Sequence, residues 1–198
     1  MKNAAAALVA TMVLCGAGAV TAREKPREAE FPDLSKRFLK ALQTGKLADC
    51  QACWLSVEQM QELMASPPEE APKPSAEELK KLLEYFRHRV KVVAMWFPEL
   101  LKVLEANGAD RKQLTYVSSN GFVRTIGKLK KTSSISMVFG YAKDKTVTIR
   151  IDDGFTYEGK WYFTDKPLDV SFTENGKVRY VTIEVPEVKK APDEKKEK

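Results

Sequence analysis

Leu100-Leu101-Lys102-Val103-Leu104-Glu105-Ala106-Asn107-Gly108 and, after a short polar joint, Leu114-Thr115-Tyr116-Val117-Ser118 carry the decisive change in this chain. Before Gly108 the apolar residues recur every three or four positions, and after Leu114 they recur every second one. The first rhythm lines one stripe of a helix; the second lines one face of a strand. Helices followed by strands predict an α+β domain, with N-terminal helices packed on a curved antiparallel sheet.

Toward the amino end, the helical rhythm runs back from Leu104 through Phe97, Val93, Val90, Phe86, Leu83, Leu82 and Leu79. Ser75-Ala76-Glu77-Glu78 has the form of a capping box and opens this helix. Pro98 lacks an amide hydrogen and is expected to kink or break it near Phe97. Ser66 to Pro74 is proline-rich and reads as a surface loop. Phe31-Pro32-Asp33 opens an earlier helix, with Asp33 as its cap; Leu34, Phe38 and Leu42 form its buried stripe, and Gly45 ends it. From Leu47, the residues Cys50, Cys53, Trp54 and Val57 fall on one helical face, and Ser56 restarts a short helix ending near Ala65.

Toward the carboxyl end, four hairpins are expected. Leu114–Ser118 and Phe122–Ile126 flank Ser119-Asn120-Gly121; Ile135–Phe139 and Thr146–Ile151 join around Lys143-Asp144. Phe155–Tyr157 and Lys160–Phe163 flank Glu158-Gly159, and Val170–Thr173 and Val178–Val185 flank Asn175-Gly176. Asn-Gly supplies two residues that tolerate positive φ, the strongest two-residue turn signal.

Met1–Ala22 reads as a cleavable signal peptide: Lys2, then an uncharged run from Ala4 to Val20, then small residues at Val20-Thr21-Ala22. Its Ala and Gly content makes it a weak membrane anchor, and Leu14 is too large to precede a lipidated Cys15. The domain organisation is then a signal peptide at 1–22, a tether at 23–30, one α+β domain at 31–185 and a disordered charged tail at 186–198. The expected location is periplasmic or secreted, with no membrane span after signal cleavage. The formal net charge is +6, but the cations are dispersed at helix and strand spacing, so nucleic acid is not expected as a partner.

Phe38-Leu39-Lys40-Ala41-Leu42-Gln43-Thr44-Gly45-Lys46-Leu47 and the Trp54-Leu55-Ser56 break resemble the opening helices of the nuclear-transport-factor-two-like, or cystatin-like cone, superfamily. Ile149-Arg150-Ile151-Asp152-Asp153-Gly154 and Glu158-Gly159-Lys160-Trp161-Tyr162-Phe163 resemble its late sheet, and the exported lumazine-binding-like branch is nearest in layout. The resemblance implies a cone that binds a small ligand, houses an acid–base enzyme, or dimerises through the outer face of its sheet. The helix Ser75–Asn107 exceeds the usual third helix of that family and would fill or cover the cone.

Chemistry is sparse. Cys50-Gln51-Ala52-Cys53 could close a local disulfide or serve thiol redox, but both cysteines fall on the expected core face. His88 is the only histidine, set among Arg87, Arg89 and Lys91, so no metal site and no cofactor are expected. Asp152 and Asp153 are assigned to a turn beside Gly154. A Tyr/Asp acid–base pair would draw its phenol from Tyr116, Tyr141, Tyr157 or Tyr162. Trp54, Phe86, Trp96 and Trp161 are the candidate walls of a ligand site. The expectation is a non-enzymatic exported module that binds a small ligand or an envelope protein, with a homodimer through the sheet among the options. A small isomerase- or dehydratase-like enzyme is the alternative, and a thiol-redox protein the third. Close packing between helices and sheet would leave protein contact alone.

Overall fold

A computed structural model describes residues 26–65, 74–126, 129–165 and 167–184. The signal-peptide stretch, the loop 66–73 and the tail 186–198 lie outside these residues. The elements in chain order are β1 (Arg27–Ala29), α1 (Pro32–Thr44), α2 (Leu47–Gln51), α3 (Val57–Ala65) and α4 (Ala76–Ala106), then a 3-10 turn (Arg111–Gln113). The strands β2 (Thr115–Ile126), β3 (Leu129–Ala142), β4 (Lys145–Tyr157), β5 (Lys160–Phe163), β6 (Pro167–Glu174) and β7 (Lys177–Val181) follow. All named strands pair antiparallel in one open seven-stranded sheet, ordered β1-β2-β3-β4-β6-β7. β5 pairs with the far half of β4, beyond the stretch that β6 occupies. The architecture is α+β.

The turn chemistry behaves as the residues dictate. Asn175 and Gly176 hold φ values of 49° and 76°, and Glu158 and Gly159 hold 48° and 75°. Both pairs give the doubly positive geometry that matches strand twist. Ser75 and Glu78 form the expected capping box, and Ser56 and Gln59 exchange the equivalent bonds at α3. Gly45 ends α1 at φ 66°, its amide returning to Ala41 O at 2.9 Å.

Several expectations are corrected. The tether stretch carries β1, which pairs with Gly121–Val123, so a strand precedes the helices. Asp33 does not cap α1; Pro32 takes the first helical position and Asp33 lies inside the first turn. The helical face from Cys50 to Val57 is broken at Ala52. Cys53 N and Trp54 N bond to Cys50 O and Gln51 O, tightening the chain into a turn. Leu55 N and Phe163 N then bond to Phe163 O and Cys53 O, and Trp54 forms a parallel bridge with Phe163. α4 runs on through Pro98, so of the two outcomes expected there the break does not occur. That residue is on the exposed side of the helix, so the carbonyl of Ala94, one turn earlier, loses its donor on a face that water reaches.

Ser119-Asn120-Gly121 is not a hairpin turn but the interior of β2. The pairing shifts between Asn120 and Val123, a bulge rather than a reversal. Gly121 is required there by close approach: a Cβ would stand 2.3 Å from Ser134 O and 3.0 Å from the Phe31 ring. Phe31 N donates to Ser119 Oγ at 2.9 Å, so the bulged strand also anchors the start of α1.

The main core joins α1, α2 and the second half of α4 to the inner face of the sheet. Phe38 is fully buried at its centre, with ring centroids 6.0 Å from Trp54, 6.5 Å from Trp96, 6.4 Å from Phe139 and 5.8 Å from Phe163. A smaller core of Leu55, Met60, Leu82, Phe86 and Phe155 joins α3 and the first half of α4 to the end of β4. Truncating a fully buried Phe removes about 3–5 kcal/mol, a large share of the ~5–15 kcal/mol typical of a domain. Phe38→Ala is therefore expected to leave the protein close to unfolded at 37 °C, read by thermal denaturation followed by circular dichroism.

Candidate functional site

The four aromatic candidates do not line one site. Trp54 and Trp96 are 5% and 3% exposed and belong to the main core, whereas Phe86, at 4%, belongs to the second. Trp161 is half-buried, its ring edge-on to Phe31 at 5.0 Å. It alone borders a shallow open groove of about 250 Å³ between α3 and the β4–β5 hairpin, with Leu63, Leu129, Tyr157 and Glu158. The described residues of the helical layer pack directly on the sheet, and the aromatics are spent on that contact.

Cys50 and Cys53 are free and fully buried. Burial pushes both thiols up, Cys53 to about 12 against the partial relief of Arg37, and Cys53 Sγ lies 3.6 Å from Asp49 O. A thiol so held presents almost no thiolate at neutral pH. Ellman titration of the folded protein is expected to find neither cysteine reactive within minutes, and both to react once denaturant unfolds the chain.

Three of the phenol hydroxyls are bonded, and the fourth ring stacks on a cation. Tyr116 Oη meets Ser119 Oγ at 3.1 Å, and Tyr141 Oη donates to Glu174 at 2.8 Å. Tyr157 Oη donates to Glu62, and Tyr162 lies under the Arg37 guanidinium at 4.9 Å. Burial and then Glu174 raise Tyr141 to about 12; the bond to Glu62 and then burial do the same for Tyr157. His88 is exposed on α4.

Asp152 and Asp153 are not in a turn. They lie within β4, where its neighbour changes from β6 to β5, and Asp153 takes φ 42° as Thr164 N bonds to its carbonyl at 3.1 Å. Around them is a polar network that sequence reading does not identify. Arg89 pairs with Asp165 at 3.0 Å, each side chain 16% exposed. Tyr85 Oη donates to Asp165 at 3.3 Å, and Arg89 lies 4.5 Å over the Tyr85 ring. Trp54 Nε1 donates to Asp165 O at 2.9 Å. Lys131 sits 3.6 Å from Asp153 and 5.3 Å over Phe155. The spacing of Tyr85 and Arg89, four residues apart on α4, is the one signal that could have pointed here. The network spans the seam between the two cores with cation matched to carboxylate, so it clamps the 164–165 crossing to α4. Among the described residues no group of three or more His, Cys, Asp or Glu could hold a metal ion, and no helix is long and apolar enough to cross a membrane.

The outer face of the sheet differs from all of this. Register places Thr115, Gly140, Thr146, Thr173 and Val178 in one row across five strands, and Ser118, Val138, Thr148, Ser171 and Tyr180 in the next. Neither row carries a charge, although 30% of the chain is charged. Val117, Val178 and Tyr180 are 54%, 55% and 73% exposed along it. Charge returns in the next row, as Arg150–Asp169 at 2.8 Å. Comparisons with protein-family models, characterised proteins and solved structures find no match to this chain.

Burial, and then Asp165, raise the Asp153 carboxyl above its ordinary value, with Lys131 opposing. The folded state therefore holds this proton more tightly than the unfolded chain does. Stability contributed by the protonated form is present below the ordinary carboxylate range and is lost as pH rises through the raised folded value. Asp153→Asn is expected to remove that loss, so its stability relative to the parent increases from pH 3 to pH 7. Urea denaturation across that range checks the sign.

Proposed function

We propose that this chain is an exported, non-enzymatic module that binds another protein through the outer face of its sheet. The observation that carries the reading is the pair of uncharged rows crossing five strands in a charge-rich chain. Depletion of charge at the centre of a patch, with polar groups at the rim, is the compositional mark of a protein contact. Export rests on the Met1–Ala22 pattern. The cone resemblance supports the same surface, but β1 ahead of the helices and the parallel Trp54–Phe163 bridge depart from the order on which that resemblance rests. The surface therefore bears the weight of the proposal. The packed aromatics and inert thiols favour contact over small-ligand capture, acid–base catalysis or redox exchange.

Size bounds the contact. Five strands about 4.8 Å apart and two rows of side chains about 6.8 Å apart give a face on the order of 300 Å², short of the ~800 Å² per partner of a standard interface. The face alone makes a weak complex, and a firm one must reach over a sheet edge. A photo-crosslinking residue at position 148 is expected to give a discrete protein adduct in extracts of the host envelope, and one at position 88 on α4 none. Thr148→Glu should weaken partner capture by about tenfold while moving stability by no more than ~0.5 kcal/mol. Equal adducts at both positions would remove the proposal.

A further inference from the structure

The two edges of the sheet are unlike. On one side β1 covers Gly121–Val123, and β2 beyond it is distorted by two register shifts, at Tyr116/Ser118 and Asn120/Val123. Bulges of this kind twist an edge away from incoming strands. On the other side β7 pairs with β6 from Val170↔Val181 to Glu174↔Lys177 without any shift. Among the described residues its outer side has no partner strand, and it contains neither proline nor a bulge. Lys177, Val178, Arg179 and Tyr180 are all exposed.

We propose that the free edge of β7 takes up an extended acidic segment of the partner protein as an added strand, a reading that deepens the outer-face contact and rests on it. β7 presents two cations, Lys177 and Arg179, two residues apart, and no acid from 177 to 181. Alternate residues of a strand share one side at a spacing of about 6.8 Å, so carboxylates at every second position of an added strand meet both. Arg179 is held beside that edge by its own neighbours. Its guanidinium stands 5.5 Å from the Phe172 ring centre, and it donates to Asn107 Oδ1, so little side-chain freedom remains to be lost. Glu174 stands opposite Lys177 in register and feels Arg179, but it also accepts from Tyr141 and pairs with Lys145, so one carboxylate is shared among three cations and this side stays net positive. On the opposite side Val178 and Tyr180 end the two uncharged rows. An added strand with uncharged alternates extends those rows by one more strand and enlarges the contact that the face alone leaves too small. A second copy fits worse: its β7 brings the same two cations, and the chain is net +6.

The test uses the full chain with two nine-residue probes, one alternating Glu with Thr and Val, the other Lys with Thr and Val. Hydrogen–deuterium exchange is expected to slow over 177–181 with the acidic probe, while 115–120 is unchanged. The lysine probe should leave both unchanged. Lys177→Glu should weaken the acidic probe by about tenfold and let the lysine probe bind, a gain that an unfolded variant cannot produce. Three results overturn the proposal: no slowing at 177–181, equal slowing by both probes, or slowing that grows with protein concentration when no probe is present. The last would assign the edge to a second copy. Crosslinking from position 148 reads the face and not the edge, so the two readings fail separately.

Discussion

Phe38 is the contact on which the rest of the structure depends. One ring from α1 touches the turn after α2 through Trp54, the second half of α4 through Trp96, and the sheet through Phe139 and Phe163. Aromatic pairs in such arrangements contribute about 0.5–1.5 kcal/mol each beyond the area they bury. Four of them at one fully buried side chain fix the helical layer against the inner face of the sheet. That placement decides where function can lie. With its inner face covered by helices, the sheet has only its outer face and its edges left to offer.

The same packing divides α4 into two parts with different duties. Val93, Trp96, Phe97, Leu100 and Leu104 serve the main core, and Leu82 and Phe86 serve the smaller one. Arg89 stands between them, bound to Asp165 on the crossing from β5 to β6. A buried ion pair seldom adds much net stability, since desolvation offsets its attraction, but breaking one side is costly. Here the pair fixes where the smaller core docks. Its buried Arg89 Nε has no hydrogen-bond partner, while the guanidinium lies over the Tyr85 ring.

The alternation in the carboxyl-terminal half made the α+β class legible, and the pairs Asn175-Gly176 and Glu158-Gly159 made two hairpins legible, because positive φ leaves a mark in residue choice. Ser119-Asn120-Gly121 carries the same mark for a different reason. Gly121 is small because Phe31 and Ser134 crowd it, a contact between distant segments that local pattern does not encode. The Cys50–Val57 stripe misleads likewise: its apolar spacing suits a helix, but bonds from Leu55 and Cys53 to Phe163 draw the chain into an extended bridge. Tertiary pairing overrides propensity in both places. The aromatic candidates were visible as large apolar residues, yet a pocket wall and a core share one composition. The outer face was the least legible, since its uncharged rows exist only once register aligns residues from five strands.

An open face of Thr, Ser and Val beside an unmodified edge is a hazard, because any extended chain can add to it. The protein restrains that hazard unevenly. β2 carries bulges, β1 covers part of its edge, and the pair Arg150–Asp169 guards one rim of the face. β7 has only Lys177 and Arg179, and a cation on an edge repels basic chains while attracting acidic ones. Two lysine-like charges are thus both the guard and the selector. The protection that keeps basic strands away is the feature that admits an acidic one, so the edge left least defended is also a selective one.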